Sequence, residues 1–146
     1  IGGERIAIEA ALMAPEGSVI AVEYSSRDRA TLEDNVAHFD LHNIKIIDHI
    51  DADTMKDCPV PSLVFMVASA STEQELDFLV RLNPNINVVM YTLDFKVAAN
   101  ITNTLQELGL TDIDTIQIAI SKLGSNNTFK QEPAPWIITA RTRNNV

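Results

Sequence analysis

The sequence is poor in cysteine, aromatic residues and positive charge, and each shortage removes a class of function. A single cysteine, Cys58, in 146 residues allows neither a disulfide framework nor a thiolate metal site. It suits a reduced, cytoplasmic setting. Eleven Lys and Arg stand against 20 Asp and Glu, for a formal net charge of −9. That balance opposes broad binding to DNA or RNA phosphates, so no nucleic-acid partner is expected. No apolar run is long enough to span a bilayer and no signal-peptide pattern opens the chain, so no membrane partner is expected either. His38 and His42 lie four apart, but no third ligand is near, so a metal site is not indicated. Neither a Ser-His-Asp nor a Cys-His arrangement can be traced. The chain has no internal repeat, linker or low-complexity segment.

What is present is aliphatic. Apolar residues make up 46% of the chain and aromatics 5%, the balance of an Ile/Val/Leu/Ala-rich α/β protein of one domain, 1–146. Glu4–Met13 is apolar on nearly every side, through Ile6, Ile8, Ala10, Ala11 and Leu12, and predicts a helix packed by neighbours. Ala14-Pro15-Glu16-Gly17 stops it. Val19–Val22 is a short continuous apolar run, as in a parallel strand covered on both faces. Ser25 or Ser26 can cap a helix carrying Leu32, Val36 and Phe39. Asn43 opens a second strand, Ile44–Ile47, and 48–61 reads as loop with one helical turn.

Leu63–Val67 predicts a third strand. The next helix has Ser71 with Gln74, or Thr72 with Glu75, as a capping box, and Leu76, Leu79, Val80 and Leu82 as its buried side. Asn83-Pro84-Asn85 is a turn, and 86–91 a fourth strand. Asp94 can cap a helix carrying Ala98, Ile101, Leu105 and Leu108, with Gly109 as its stop. Alternating strands and helices imply right-handed crossovers and a parallel sheet. The end breaks that rhythm. Residues 113–121 predict a long strand with Ile116, Ile118 and Ile120 in alternation, 122–133 a loop, and Trp136–Thr142 a last strand. Two strands joined without a helix should pair antiparallel.

The chemistry concentrates at the start. Gly2 and Gly3 permit close backbone approach, and the helix that follows offers unpaired amides. Glu23, ending the first strand about twenty residues on, can accept hydrogen bonds from a ribose. Together they point to a nucleotide-type ligand. The strand that should precede this loop is expected upstream of Ile1.

A parallel α/β sheet closed by a β-hairpin, with an acid ending an early strand, resembles the class I S-adenosylmethionine-dependent methyltransferases. Ile8-Glu9-Ala10-Ala11-Leu12-Met13-Ala14-Pro15-Glu16-Gly17 with Val19-Ile20-Ala21-Val22-Glu23 is similar to one family, the decarboxylating precorrin methyltransferase of cobalamin biosynthesis. Tyr91-Thr92-Leu93-Asp94 and Pro133-Ala134-Pro135-Trp136-Ile137-Ile138-Thr139-Ala140 carry the same resemblance. It implies a Rossmann-like, mostly parallel sheet and an enzyme that methylates carbon 15 of a tetrapyrrole while a ring acetate loses its carboxylate. The implied cofactor is S-adenosyl-L-methionine, and the implied assembly is a homo-oligomer, in this family a tetramer. The chain departs from the family at Glu4, where a third loop glycine is usual, and at Val67-Ala68, where a Gly-Gly pair is usual.

The resemblance assigns cofactor contacts to Gly2, Gly3, Glu23, Asp51, Ala52 and Ser69. Asp48 and Asp53 compete with Asp51, and solvation is the alternative for all three. Thr92 falls at the acceptor's edge. A polycarboxylate substrate on an acidic protein needs local cations, and Lys122, Asn126 and Lys130 form a flexible polar loop suited to closing over it. Solvated lysines are the alternative there. No side chain is assigned as catalytic, because the electron-rich acceptor carbon is itself the nucleophile. Two other readings stay open: a non-catalytic partner subunit of this fold, and a dinucleotide-binding oxidoreductase domain, against which the terminal hairpin speaks.

Overall fold

The structure, a computed structural model, describes residues 4–142. Gly2 and Gly3 lie outside the described residues, as does the side chain of Glu4. The chain divides into two compact units, one up to Pro59 and the other from Val60 onward.

The first unit contains α1 (Glu4–Met13), β1 (Val19–Val22), α2 (Ser26–His38) and β2 (Ile44–Ile47). β1 and β2 pair in parallel, from Val19 opposite Ile44 to Val22 opposite Ile47, as a helical crossover requires. Ile8 of α1, Ala21 of β1 and Leu32 of α2 form the core, flanked by Ala7, Val36, Leu41, Ile44 and Ile46. Asn43 does more than open β2. Its side-chain amide donates to the carbonyls of Ala11 (3.1 Å) and Ala14 (3.0 Å), satisfying acceptors left orphaned where α1 ends. Ser25, not Ser26, caps α2 by accepting from the amide of Asp28 at 3.4 Å.

One expectation fails here. α1 is not packed on every side: Ile8 and Ala11 are buried, while Ile6, Leu12 and Met13 are exposed. The helix packs on β1 and α2, and one contact surface can cover only one stripe.

The second unit contains β3 (Leu63–Val67), α3 (Thr72–Leu82), β4 (Asn87–Thr92), α4 (Phe95–Glu107), β5 (Leu110–Gln117), β6 (Ser121–Leu123), β7 (Phe129–Gln131) and β8 (Trp136–Thr142). Its main sheet has the order β3-β4-β8-β5. β3 and β4 are parallel, and β8 is inserted antiparallel to both β4 and β5. Three strands therefore share one direction and only β8 reverses it. Val88 and Met90 of β4 and their partners Ala140 and Ile138 of β8 are buried. Leu105 and Ile101 of α4 are buried with them. Each of the Val, Met, Ile and Leu side chains among them contributes about 1.5–3 kcal/mol.

The helix ends follow their chemistry. Asp94 caps α4 by accepting from the amides of Lys96 (2.8 Å) and Val97 (3.3 Å). Gly109 ends it with φ +82°, a conformation open to glycine at little cost. The expected capping box on α3 does not form. Ser71 donates its hydroxyl to Glu75 one turn on, and Thr72 accepts from the amide of Ser69 at 2.8 Å. Leu76 and Leu79 are buried, but Leu82 lies at the helix end and is exposed.

The terminal hairpin also differs from expectation. β5 starts at Leu110 rather than 113, and a bulge between Thr111 and Asp114 shifts its register. Asp112 takes φ +52° and pairs with Arg141 at 3.0 Å. The strand ends at Gln117, opposite Trp136 at the start of β8. Ile116, Ile118 and Ile120 are all exposed. The expected loop holds a small sheet, with Ser121 opposite Gln131 and Leu123 opposite Phe129.

Candidate functional site

In the first unit the candidate cofactor residues gather at the carboxyl edge of β1 and β2. The amide of Glu23 donates to the carbonyl of Ile47 at 3.1 Å, carrying the parallel pairing one residue past β1. Its side chain is half-buried. Arg29, in the second turn of α2, reaches back and donates to the carbonyls of Glu23 (2.9 Å) and Tyr24 (3.0 Å). It thereby fixes the main chain that aims the Glu23 carboxylate. Sequence reasoning missed Arg29; a cation early in a helix, against the dipole, was the available signal. A shallow groove beside β2 is lined by Arg29, Glu33, Ile46, Ile47, Asp48 and Thr54.

Past β2, Asp51 is heavily engaged. Its carboxylate accepts from the amide of Thr54 and from His49 Nε2, both at 2.7 Å. The first of these chiefly holds its pKa below the ordinary carboxylate value. His49 also donates from Nδ1 to Asp48 at 2.7 Å. Its pKa is raised, first by the hydrogen bond to Asp51 and then by that to Asp48. Asp51 thus organises the loop, while Ala52 and Asp53 are presented to solvent.

In the second unit the carboxyl ends of β3 and β4 carry Ser69 and Thr92. The amide of Ala68 donates to the carbonyl of Tyr91 at 3.0 Å, so the two strands end level. Ser69 is exposed and its hydroxyl lies 3.0 Å from that of Ser71. Thr92 is buried, and its hydroxyl accepts from the amide of Asp94 at 3.1 Å. Thr92 pairs with Trp136 of β8, and Trp136 with Gln117 of β5. Thr92, Trp136 and Gln117 therefore lie in one row along this edge.

The hairpin of β6 and β7 continues beyond the row. The amide of Ile118 donates to Pro135 (3.1 Å) and that of Glu132 to Ile120 (3.0 Å), bridging to it. Lys122 and Lys130 are direct cross-strand partners. Like charges directly opposite each other are unfavourable, and only Glu132, 3.9 Å from Lys122, partly offsets them among the described residues. Asn126 sits in the exposed turn. Among the described residues no group of three His, Cys, Asp or Glu could hold a metal. None of the described helices is long and apolar enough to cross a membrane.

The precorrin methyltransferase domain pattern matches residues 1–139. Among solved structures, a precorrin-6y C5,15-methyltransferase from Geobacter metallireducens matches with a TM-score of 0.86 at 21% identity, covering 97% of this chain and 76% of that one. The C-terminal domain of precorrin-6Y C5,15-methyltransferase from Rhodobacter capsulatus matches with 0.61 at 16%, covering 87% and 69%. Precorrin-8w decarboxylase from Methanobacterium thermoautotrophicum matches with 0.62 at 15%, covering 84% and 69%. No curated protein sequence matches significantly. At these identities the structures show the fold, a Rossmann-like methyltransferase sheet with an inserted antiparallel strand. With the domain pattern spanning nearly the whole length, the chain belongs to the precorrin methyltransferase domain family.

Proposed function

We propose that the chain is an S-adenosylmethionine-dependent C-methyltransferase acting on a precorrin or cobalt-precorrin tetrapyrrole. Its specific reaction is methylation of carbon 15 with decarboxylation of a ring acetate. The observation that carries the reading is Glu23. A half-buried carboxylate ends a parallel strand, and an arginine holds its main chain in place. A carboxylate at the carboxyl edge of such a strand suits a ribose diol.

The first unit's residues fit the cofactor's nucleoside. Glu23 takes the ribose hydroxyls, Ala52 offers an exposed backbone beside the adenine, and Asp51 shapes that loop. Gly2 and Gly3 are assigned to the cofactor loop, and Ser69 to a further cofactor contact. When bound, S-adenosylmethionine supplies an activated methyl group on a sulfonium. The second unit's residues hold the acceptor. Thr92 lines its edge, while Lys122, Asn126 and Lys130 meet its carboxylates. Their work is alignment and exclusion of water, which can account for much of a bimolecular barrier. The same reading gives a cytoplasmic homo-oligomer, a tetramer by family precedent, which sedimentation tests.

Calorimetry decides the matter. The chain is expected to bind S-adenosylhomocysteine, and Glu23→Ala to weaken that binding at least about tenfold, the loss of roughly one charge-assisted hydrogen bond. A thermal melt of Glu23→Ala run alongside separates lost affinity from lost folding. Binding of NAD alone would replace this reading with a dinucleotide domain. Binding of neither would favour a non-catalytic partner subunit, which Glu4 and Val67-Ala68 also support.

A further inference from the structure

Phe95 and Trp136 are an aromatic pair in a chain with few aromatic residues, and they sit at the edge assigned to the acceptor. Trp136 is the cross-strand partner of Thr92. Phe95 begins α4 directly after the turn that leaves β4. That turn is pinned at both ends. Thr92 accepts from the amide of Asp94, and Asp94 accepts from those of Lys96 and Val97. A turn held this way keeps its intervening side chains outward: Leu93 is 53% exposed and Phe95 66%. The rings of Phe95 and Trp136 lie 5.7 Å apart, tilted by 58°.

A pair whose duty was to seal the helix end would be covered. Here the rings are tilted, with Trp136 half-buried and Phe95 exposed. The surrounding charge indicates what could lie against them. Lys96 stands exposed in the first turn of α4, where the helix dipole disfavours a cation. Lys122 and Lys130 oppose each other on the hairpin that extends from the same edge. A flat electron-rich ring bearing carboxylates matches both features. Its face stacks on an aromatic side chain, and its acids meet ammonium groups.

We propose that Phe95 and Trp136 seat one carboxylate-bearing pyrrole ring of the acceptor, with Lys96 beside it. The proposal rests on the tetrapyrrole reading above and adds to it the residues that recognise the ring itself. Both are binding residues that select for a ring face; neither is assigned a step in the chemistry.

Trp136 is the only tryptophan in the chain, so its emission reports directly on this place. Uroporphyrin, a planar tetrapyrrole with acetate and propionate side chains, serves as the probe. It is expected to quench Trp136 by energy transfer in a saturable manner. Phe95→Leu should weaken its binding about tenfold, since an aromatic stacking partner is typically worth that much or more. Phe95→Tyr should restore it. Because leucine is also apolar, the contrast separates stacking from simple hydrophobic contact. Phe95 is exposed, so both variants should keep the parent's thermal midpoint and its affinity for S-adenosylhomocysteine. If Phe95→Leu binds uroporphyrin as the parent does while both bind S-adenosylhomocysteine, the aromatic seat is wrong and the methyltransferase reading stands. If the parent binds neither compound, the reading beneath it fails instead. An unchanged porphyrin affinity with a lower sedimenting mass for Phe95→Asp would assign the pair to self-association and overturn the proposal.

Discussion

His49 lies between two carboxylates, Asp48 and Asp51, each 2.7 Å from a different ring nitrogen. Carboxylates only accept, so both bonds can form together only when both ring nitrogens carry protons, in the imidazolium. The raised pKa of His49 means its contribution to the loop is complete below about pH 6.5. That contribution is lost as pH rises through the higher folded value. Asp51 acts in the other direction. Its lowered pKa makes its contribution complete above about pH 3.9 and removes it as pH falls through the folded value. The loop is therefore firmest between those limits. A proton NMR titration should place the His49 midpoint above about 6.5, and Asp51→Asn should bring it down. A midpoint unmoved by that substitution would show that the bond is not the cause. Residue types reveal this acidic loop in the sequence, but not the histidine's place in it. Three neighbouring ionisable groups can face any way until a turn such as Asp51–Thr54 orders them.

Elements are more legible where one residue dictates the backbone. Asp94 is readable as a cap because a short acid before a helix reaches the second and third amides. Asp94→Ala should cost about 1 kcal/mol, read as a lower urea midpoint with unchanged slope. Gly109 is readable as a stop. It combines a φ of +82° with open space where a side-chain methyl would stand, so Gly109→Ala meets backbone strain rather than a clash. A cost of roughly 1–2 kcal/mol is expected, and a neutral result would show that α4 ends by other means. The terminal strand resists reading for the same physical reason in reverse. Period-two alternation through Ile116, Ile118 and Ile120 signals a strand, but it does not say which side is covered. Nor does it reveal a bulge produced by a single left-handed aspartate. The β6–β7 pairing is hidden because short polar strands have no hydrophobic pattern.

At the scale of the whole molecule, the fold class is legible because aliphatic runs alternate with helical spacing until the last two strands. The candidate site is legible only in part. Strand-end residues such as Glu23 and Thr92 follow from topology, whereas Arg29 and Trp136 owe their places to a helix face and to strand register. The net charge of −9 should work against an acidic ligand except near local cations such as Lys96 and the lysine hairpin. Lys130→Ala should therefore lower uroporphyrin affinity several-fold at about 0.01 M salt, where the Debye length is about 30 Å, and much less at 1 M. Equal losses at both would indicate a packing role.

β8 follows in sequence both strands that it separates, β4 and β5. Until it arrives, β4 keeps one edge unpaired and β5 has no partner in this sheet. The last strand of this sheet to leave the ribosome is therefore the one that closes it, and native pairing of the sheet's middle waits for that strand. Such non-local closure is slow, and open strand edges are templates for other chains. The cell's exposure to aggregation should accordingly fall late in translation, when β4 and β5 are made and Trp136–Thr142 is not.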